Sequence, residues 1–379
     1  MPEVFDIAII GGGIVGASLA HALGGRASIA LIEREEAWGY HATGRSAAEF
    51  ALRFHSEGVG HLTRASADFL HRPPEGFCDV ALLRPRGNLL IAPSEKAEDA
   101  RAVFEAEART TEVGQSGLEW LSRDAALEKV PFLDPEWMAA AIFDPDCWDV
   151  EVENLLQAYL KSARRAGATL MQRAELNRVR CDADLWILET TAGPIRARQV
   201  VNAAGGWADE VGAMFGAPPL GLVPHRRTAI SVKLPDHDLS GIPEVNEIDE
   251  AFYFKPDAGQ LMVSPADETP VDPHDAWAEE IDVAYAAHFL TESTTLDIRH
   301  IAHSWAGLRT FAPDRLPVIG ASGKVPGLFW MAGLGGYGIQ TSPAVGRIAA
   351  ALLTGDVIPT DIAAQGITAD MLSPARLER

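Results

Sequence analysis

The chain has 379 residues, 47% hydrophobic and 22% charged, with 32 Lys and Arg against 53 Asp and Glu, a formal net charge of −21 at pH 7. That length suits about two domains, or one large domain with insertions, and excludes a disulfide miniprotein and wholesale disorder. The acidic surplus repels phosphate backbones and anionic bilayers, which excludes nucleic acid as a partner.

Residues 5–10 (FDIAII) are a short, β-branched, apolar run, the pattern of a strand buried on both faces of a parallel sheet. Residues 14–23 read as a small-residue helix and residues 27–32 (ASIALI) as a second buried strand ending at Glu33, which completes one βαβ unit. Gly11, Gly13 and Gly16 form GxGxxG where the first strand turns into the helix. The first glycine permits the tight turn, the second lets the backbone approach a pyrophosphate, and the third lets helix and strand pack, while the helix N-terminus holds the anion. Glu33 is placed to accept hydrogen bonds from a ribose diol and would repel a 2′-phosphate. The stretch 40–48 (YHATGRSAA) adds hydroxyls, amides and Arg45 for a further phosphate and a ring edge, more than a nicotinamide site asks, which favours FAD over NAD.

Residues 80–92 and 228–263 alternate apolar and polar between Pro and Gly turns, as antiparallel strands do. Residues 150–166 have helical spacing, 169–180 and 185–191 read as strands, and 200–203 runs apolar into Gly205-Gly206. A buried strand at 327–331 (GLFWM) and a helix at 342–353 close the pattern. The expected class is α/β: a doubly wound, Rossmann-like FAD-binding domain (residues 1–80, 149–217 and 305–379) with an inserted, mostly antiparallel β-sheet substrate domain (81–148 and 218–304). Cys78, Cys147 and Cys181 are too far apart for a disulfide framework or a CxxC metal site, which points to a reducing, cytoplasmic setting. No signal peptide or integral membrane segment is expected, since the glycine cluster starts at Gly11 and no run of eighteen apolar residues occurs. The scattered histidines, without HxH or HExxH, predict no metal.

Residues 39–48 (GYHATGRSAA), Arg226-Arg227, 252–257 (FYFKPD), 305–311 (WAGLRTF), 335–341 (GGYGIQT) and 371–374 (MLSP) resemble the FAD-dependent amine and D-amino-acid oxidoreductases, the family of D-amino acid oxidase, glycine oxidase and monomeric sarcosine oxidase. The bacterial D-arginine dehydrogenases are the nearest likeness. The resemblance implies that Gly11, Gly13, Gly16, Glu33, Arg34, Thr43, Arg45, Ser46 and Ala47 hold a noncovalent FAD, with Val179 at the adenine and Ala204 and Gly205 near the ribityl chain. Residues 314–320 (DRLPVIG) resemble the family's second flavin contact. Gly335, Gly336, Gly338, Ile339 and Gln340 would offer amides to the flavin pyrimidine edge, stabilising charge on the reduced ring.

The resemblance also makes Arg226 and Arg309 a carboxylate clamp, with Arg227 an alternative beside Arg226, Tyr253 a hydroxyl donor and Tyr337 a cap on the site. A planar guanidinium grips a carboxylate bidentately, and such a handle aligns the α-hydrogen for transfer as hydride to flavin N5. Without the resemblance these residues read as solvated charges and strand packing. His41 and His55 are candidate bases, although an amine that loses its proton to water needs none. The implied reaction is oxidative deamination of a small-molecule D-amino acid to an imino acid, which hydrolyses to a 2-oxo acid and ammonia. The alternatives are oxidation of secondary amines such as sarcosine or N-alkyl amino acids, and a flavin subunit of a heteromeric amine dehydrogenase. No motif names the electron acceptor. The D-arginine-oxidising relatives carry histidine, tyrosine and glutamate where this chain has Glu49, Phe54 and Asn88, the expected side-chain pocket. The amide of Asn88 cannot balance a buried guanidinium, so neutral or apolar side chains are expected unless Glu49 points inward.

Overall fold

In the computed structural model, which describes residues 4–109 and 116–378, the expected βαβ unit forms from β1 (Val4–Ile10), α1 (Ile14–Leu23) and β2 (Ile29–Ile32). β1 is central: it pairs in parallel with β2, Ile7 opposite Ile29, and with the strand Gly193–Asn202, Ile9 opposite Val201. Side chains alternate across the sheet, so Ile7, Ile9 and Leu31 pack into one core with α1 and the helices Val152–Arg165 and Gly338–Leu353. Ala8, Ile10, Ala30 and Ile32 enter a second core with Val200, Leu328 and Trp330. Two apolar layers explain why these strands read as unbroken hydrophobic runs. A side chain at Gly346 would lie 2.9 Å from the Ser18 backbone, so glycine there brings the last long helix against α1. Thr169–Met171 and Leu328–Ala332 extend the parallel part, and antiparallel strands complete eight.

The second sheet has ten strands and is mostly antiparallel. Its spine pairs Val223–Val232 with Ile301–Phe311 along their whole length, from Val223 opposite Phe311 to Val232 opposite Ile301. The expected boundary at residue 305 is therefore corrected: that strand belongs wholly to the substrate sheet, and the chain returns to the nucleotide sheet at Val318–Ala321. The boundary at 149 also falls inside a strand, Cys147–Val150, which forms a three-stranded sheet with Glu49–Ala51 and Leu83–Pro85. One face of the large sheet buries Ile230, Phe252, Phe254, Leu261 and Val263 with Ala286 and Leu290 of the helix Glu280–Ser293. The other presents Arg227, Ala229, Tyr253, Met262 and Arg309 to the cavity against the nucleotide sheet. Among the described residues, no helix is long and apolar enough to cross a membrane.

Candidate active site

The glycine turn is sterically obligatory. Gly11 has φ +112°, and an added Cβ would sit 2.3 Å from the Ala203 carbonyl oxygen; at Gly16 it would sit 2.1 Å from the Gly11 carbonyl oxygen. Glu33 is held rigidly at the end of β2: one carboxylate oxygen accepts the Gly12 amide at 2.8 Å and the other the Glu35 amide at 2.9 Å. A carboxylate has about four acceptor sites, so capacity for a diol remains. Thr43 Oγ1 accepts the Ile14 amide at 3.1 Å and fixes the 43–47 loop on the N-terminus of α1. These groups line one end of a cavity with about 1840 Å³ of space, part of it open to solvent, that runs between the two large sheets.

At the other end lie Arg227, Arg309 and Tyr253. Arg227 is opposite Gly307 and Arg309 opposite His225 in the paired strands, so the two arginines sit diagonally on one face. Arg227 donates from Nε to the Asp267 carbonyl at 2.8 Å; burial, then the Arg309 charge, pulls its pKa below the usual range. Among the described residues Arg309 has no carboxylate or carbonyl partner, and a Cβ at Gly336 would lie 3.0 Å from its Cζ. Arg227 has one acidic neighbour, Glu268 at 3.5 Å, so the two guanidiniums together keep a positive surplus that forms a pole for an anion. Ala47, Ala229, Met262, Leu334 and Ile339 give the adjoining wall its apolar character. The lining acids, Glu33, Glu175 and Glu210, all come from the nucleotide half, none from the substrate sheet.

Most sequence-derived positions meet at this cavity: Gly11, Gly13, Glu33, Arg34, Thr43, Arg45, Ser46, Ala47, Ala204, Gly205, Gly335, Gly336, Gly338, Ile339, Tyr253 and Arg309 all line it. Gly16 acts from beneath, as the close approach to Gly11 requires. Arg45 contributes its stem, while its guanidinium bonds the Ala276 carbonyl at 2.7 Å and Asp275, strapping the loop to the substrate half. Arg34 stacks 3.8 Å over the Trp207 ring.

Other expected residues lie outside the lining. Arg226 points away because adjacent strand residues face opposite sides; its guanidinium bonds Asp282 at 2.7 Å and Glu279 on the covering helix, so Arg227 takes its place. Glu49 accepts from Cys147 Sγ at 2.8 Å in a buried cluster, with burial raising its carboxyl above the usual range. Asn88 accepts from the Asn246 side chain at 3.0 Å, and Phe54, at φ +63°, packs with Leu90 and Ala92. None of the three lines the cavity. Val179 is displaced by Ala174, Glu175 and Leu176, because the chain meets the cavity before the strand Leu176–Asp182 rather than along it. Gln340 turns inward, donating to Thr63 Oγ1 at 3.1 Å, and Tyr337 packs its ring 5.3 Å from His55. His41 does line the cavity and His55 does not, but both candidate bases are occupied: His41 Nε2 lies 2.8 Å from Glu35 and His55 Nε2 2.8 Å from the Ala51 carbonyl, and burial lowers both pKa values. Sequence reasoning missed Trp207, Val211, Met214 and Met262, apolar residues whose only signal was helix or strand packing.

Comparison with known proteins decides the family: the model for the FAD dependent oxidoreductases, DAO, matches residues 6–352. The chain belongs to this family. This DAO-family chain is 27% identical over 380 positions to the glycine oxidase of Geobacillus kaustophilus, covering 97% of this chain and 98% of that one. A crystal structure of glycine oxidase from that organism superposes with a TM-score of 0.80 over 93% of this chain and 95% of that one, at 26% identity. Human mitochondrial dimethylglycine dehydrogenase is 25% identical over 90% of this chain, which spans 42% of its length. The L-proline dehydrogenase of P. horikoshii shares the fold, with a TM-score of 0.82 at 23% identity over 100% of this chain and 99% of that one. The DAO-family chain is thus an FAD-dependent oxidoreductase, and its α/β fold and glycine cradle suit that cofactor.

Proposed function

We propose that this DAO-family flavoprotein oxidises small or apolar α-amino acids, of D configuration where the α-carbon is chiral, to imino acids that water converts to 2-oxo acids and ammonia. The observation that carries the reading is the pair Arg227 and Arg309 on a substrate face that gives the cavity no lining acid, Arg227 meeting only Glu268 at 3.5 Å and Arg309 no acid among the described residues, beside apolar Ala229 and Met262. FAD, when bound, supplies the two-electron acceptor. Gly11, Gly13, the Ile14 amide and Glu33 would hold its nucleotide half, and Gly335, Gly336, Gly338 and Ile339 its ring edge. Among the described residues no cysteine lines the cavity, which supports noncovalent attachment; acid precipitation is expected to leave the yellow colour in the supernatant.

The chain's own part is binding and orientation. Arg309 and Arg227 grip the substrate carboxylate, Tyr253 adds a hydroxyl donor, and the apolar wall excludes water from the α-carbon. With His41 and His55 committed elsewhere, the substrate ammonium gives its proton to water before oxidation. A side-chain guanidinium would meet no acid of the substrate sheet, which disfavours arginine. A second reading is favoured by likeness to proteins named glycine oxidase and dimethylglycine dehydrogenase: a secondary amine such as sarcosine fits the same clamp.

The test is a panel of D- and L-amino acids, glycine and sarcosine with a dye acceptor, in air and without oxygen. Flavin bleaching by small D-amino acids or glycine with ammonia release is the expected result. Aldehyde or methylamine from sarcosine alone would favour the second reading, and bleaching by L-isomers only would overturn the first.

A further inference from the structure

Outside the cavity, side chains far apart in sequence converge where the three-stranded sheet meets the large one. Glu49 and Cys147 project from the same face of the paired strands Glu49–Ala51 and Cys147–Val150, and Glu244 stands opposite them on the strand Glu244–Glu247. One ligand atom of each, two carboxylate oxygens and Sγ, lies within 4.8 Å of the others. Cys147 is 0% and Glu244 2% exposed, while Glu49 is half-buried.

Glu244 is the unexplained member. Its Oε2 is buried without a hydrogen-bond partner among the described residues. The nearest cation, Lys255 Nζ, stands 3.9 Å away, held by Asp149 at 2.9 Å, and Arg86 is likewise committed to Asp149 from Nε at 2.8 Å. Among the described residues, Glu49, Asp149 and Glu244 share Lys255 and Arg86 as neighbouring cations, and burial raises the carboxyls of Glu49 and Glu244. Ionising these groups together is costly unless a further cation completes the cluster.

We propose that Glu49, Cys147 and Glu244 bind one Zn²⁺, with water as fourth ligand. A thiolate with two carboxylates suits zinc better than calcium or magnesium, which prefer all-oxygen shells. On binding, the Cys147 thiol proton, and any proton held by the Glu49 or Glu244 carboxyl, is lost to solvent as Zn–S and Zn–O bonds replace S–H and O–H, and the hydrogen bond to Glu49 gives way to coordination. Tetrahedral zinc places ligand atoms about 3.5 Å apart, between the 2.8 Å that separates Cys147 Sγ from Glu49 and the 4.8 Å that bounds the cluster, so small side-chain adjustments are enough. The ion would clip Glu49, just after the flavin-cradle loop, to the substrate sheet, a structural rather than a redox role.

The test uses flavin-loaded enzyme stripped with a chelator and then dialysed against Zn²⁺. The expected result is one Zn per chain, a higher thermal midpoint, and an X-ray absorption shell with a single sulfur at about 2.3 Å and oxygens at about 2.0 Å. Cys147→Ala and Glu244→Gln, each checked for retained flavin colour, should bind at least about tenfold more weakly. Uptake well below one equivalent, a sulfur-free shell, or folded variants that bind like the parent would overturn the proposal. If neither variant folds, the sulfur scatterer in the parent decides alone.

Discussion

Arg226 and Arg227 differ by one residue in sequence and by the whole thickness of a sheet in position. Arg226 sits in a buried ion pair with Asp282, while Arg227 shares the cavity with Arg309. Arg309→Leu and Arg227→Leu should each raise KM for an amino-acid substrate about ten- to hundredfold, the worth of one charge-assisted pairing, with Tm nearly unchanged. Arg226→Leu should leave KM within about twofold but cost about 3 kcal/mol of stability, because Asp282 is left buried and unpaired. Steady-state kinetics and thermal melts on the three variants check this; a KM effect at Arg226 as large as at Arg309 would refute the assignment. Sequence alone narrowed the choice to the Arg226-Arg227 pair. The face of the strand settled it, because strand phase depends on which partner strand covers which side.

At the scale of elements, the glycine cradle was the most legible feature, since its steric demand is local: turn, close approach and helix packing lie within six residues of one another. Gly16→Ala should purify with little or no flavin, because the added methyl would meet the Gly11 carbonyl 2.1 Å away and push α1 off the turn. Absorbance of bound flavin per chain measures it, and full occupancy would show that the helix can shift at no cost. Elements whose role depends on where they end were less legible. Val179 lies on the strand assigned to the adenine contact, yet the wall is built by Ala174 to Leu176, as the chain enters that strand. Likewise the resemblance puts Glu49, Phe54 and Asn88 in a side-chain pocket, but their side chains point into other contacts.

For the whole molecule, the two large sheets must keep their relative placement, since the cavity takes lining from both. The core beside β1 carries a titrating group: His21 of α1, 2.7 Å from Ser162 and packed by Phe69, Phe77 and Tyr159, has its pKa lowered by burial to about 4. Unfolded, it titrates near 6.5, so between those values the unfolded chain binds a proton that the native one refuses. Stability from this group is whole above pH about 6.5 and declines as pH falls, by up to about 3 kcal/mol near pH 4. In melts from pH 7 to 4, His21→Phe should show a shallower fall in Tm than the parent; parallel curves would show that His21 does not contribute.

What sequence by itself determined is whatever a short stretch of backbone dictates: the βαβ unit, the glycine cradle with Glu33, and the residue types that match the family. Tertiary structure alone decided which arginine faces the cavity, that Ile301–Phe311 belongs to the substrate sheet, and that Glu49, Cys147 and Glu244 meet. The first set follows from sterics within a few bonds. The second depends on pairing between strands dozens of residues apart, where a shift of one position reverses every side chain.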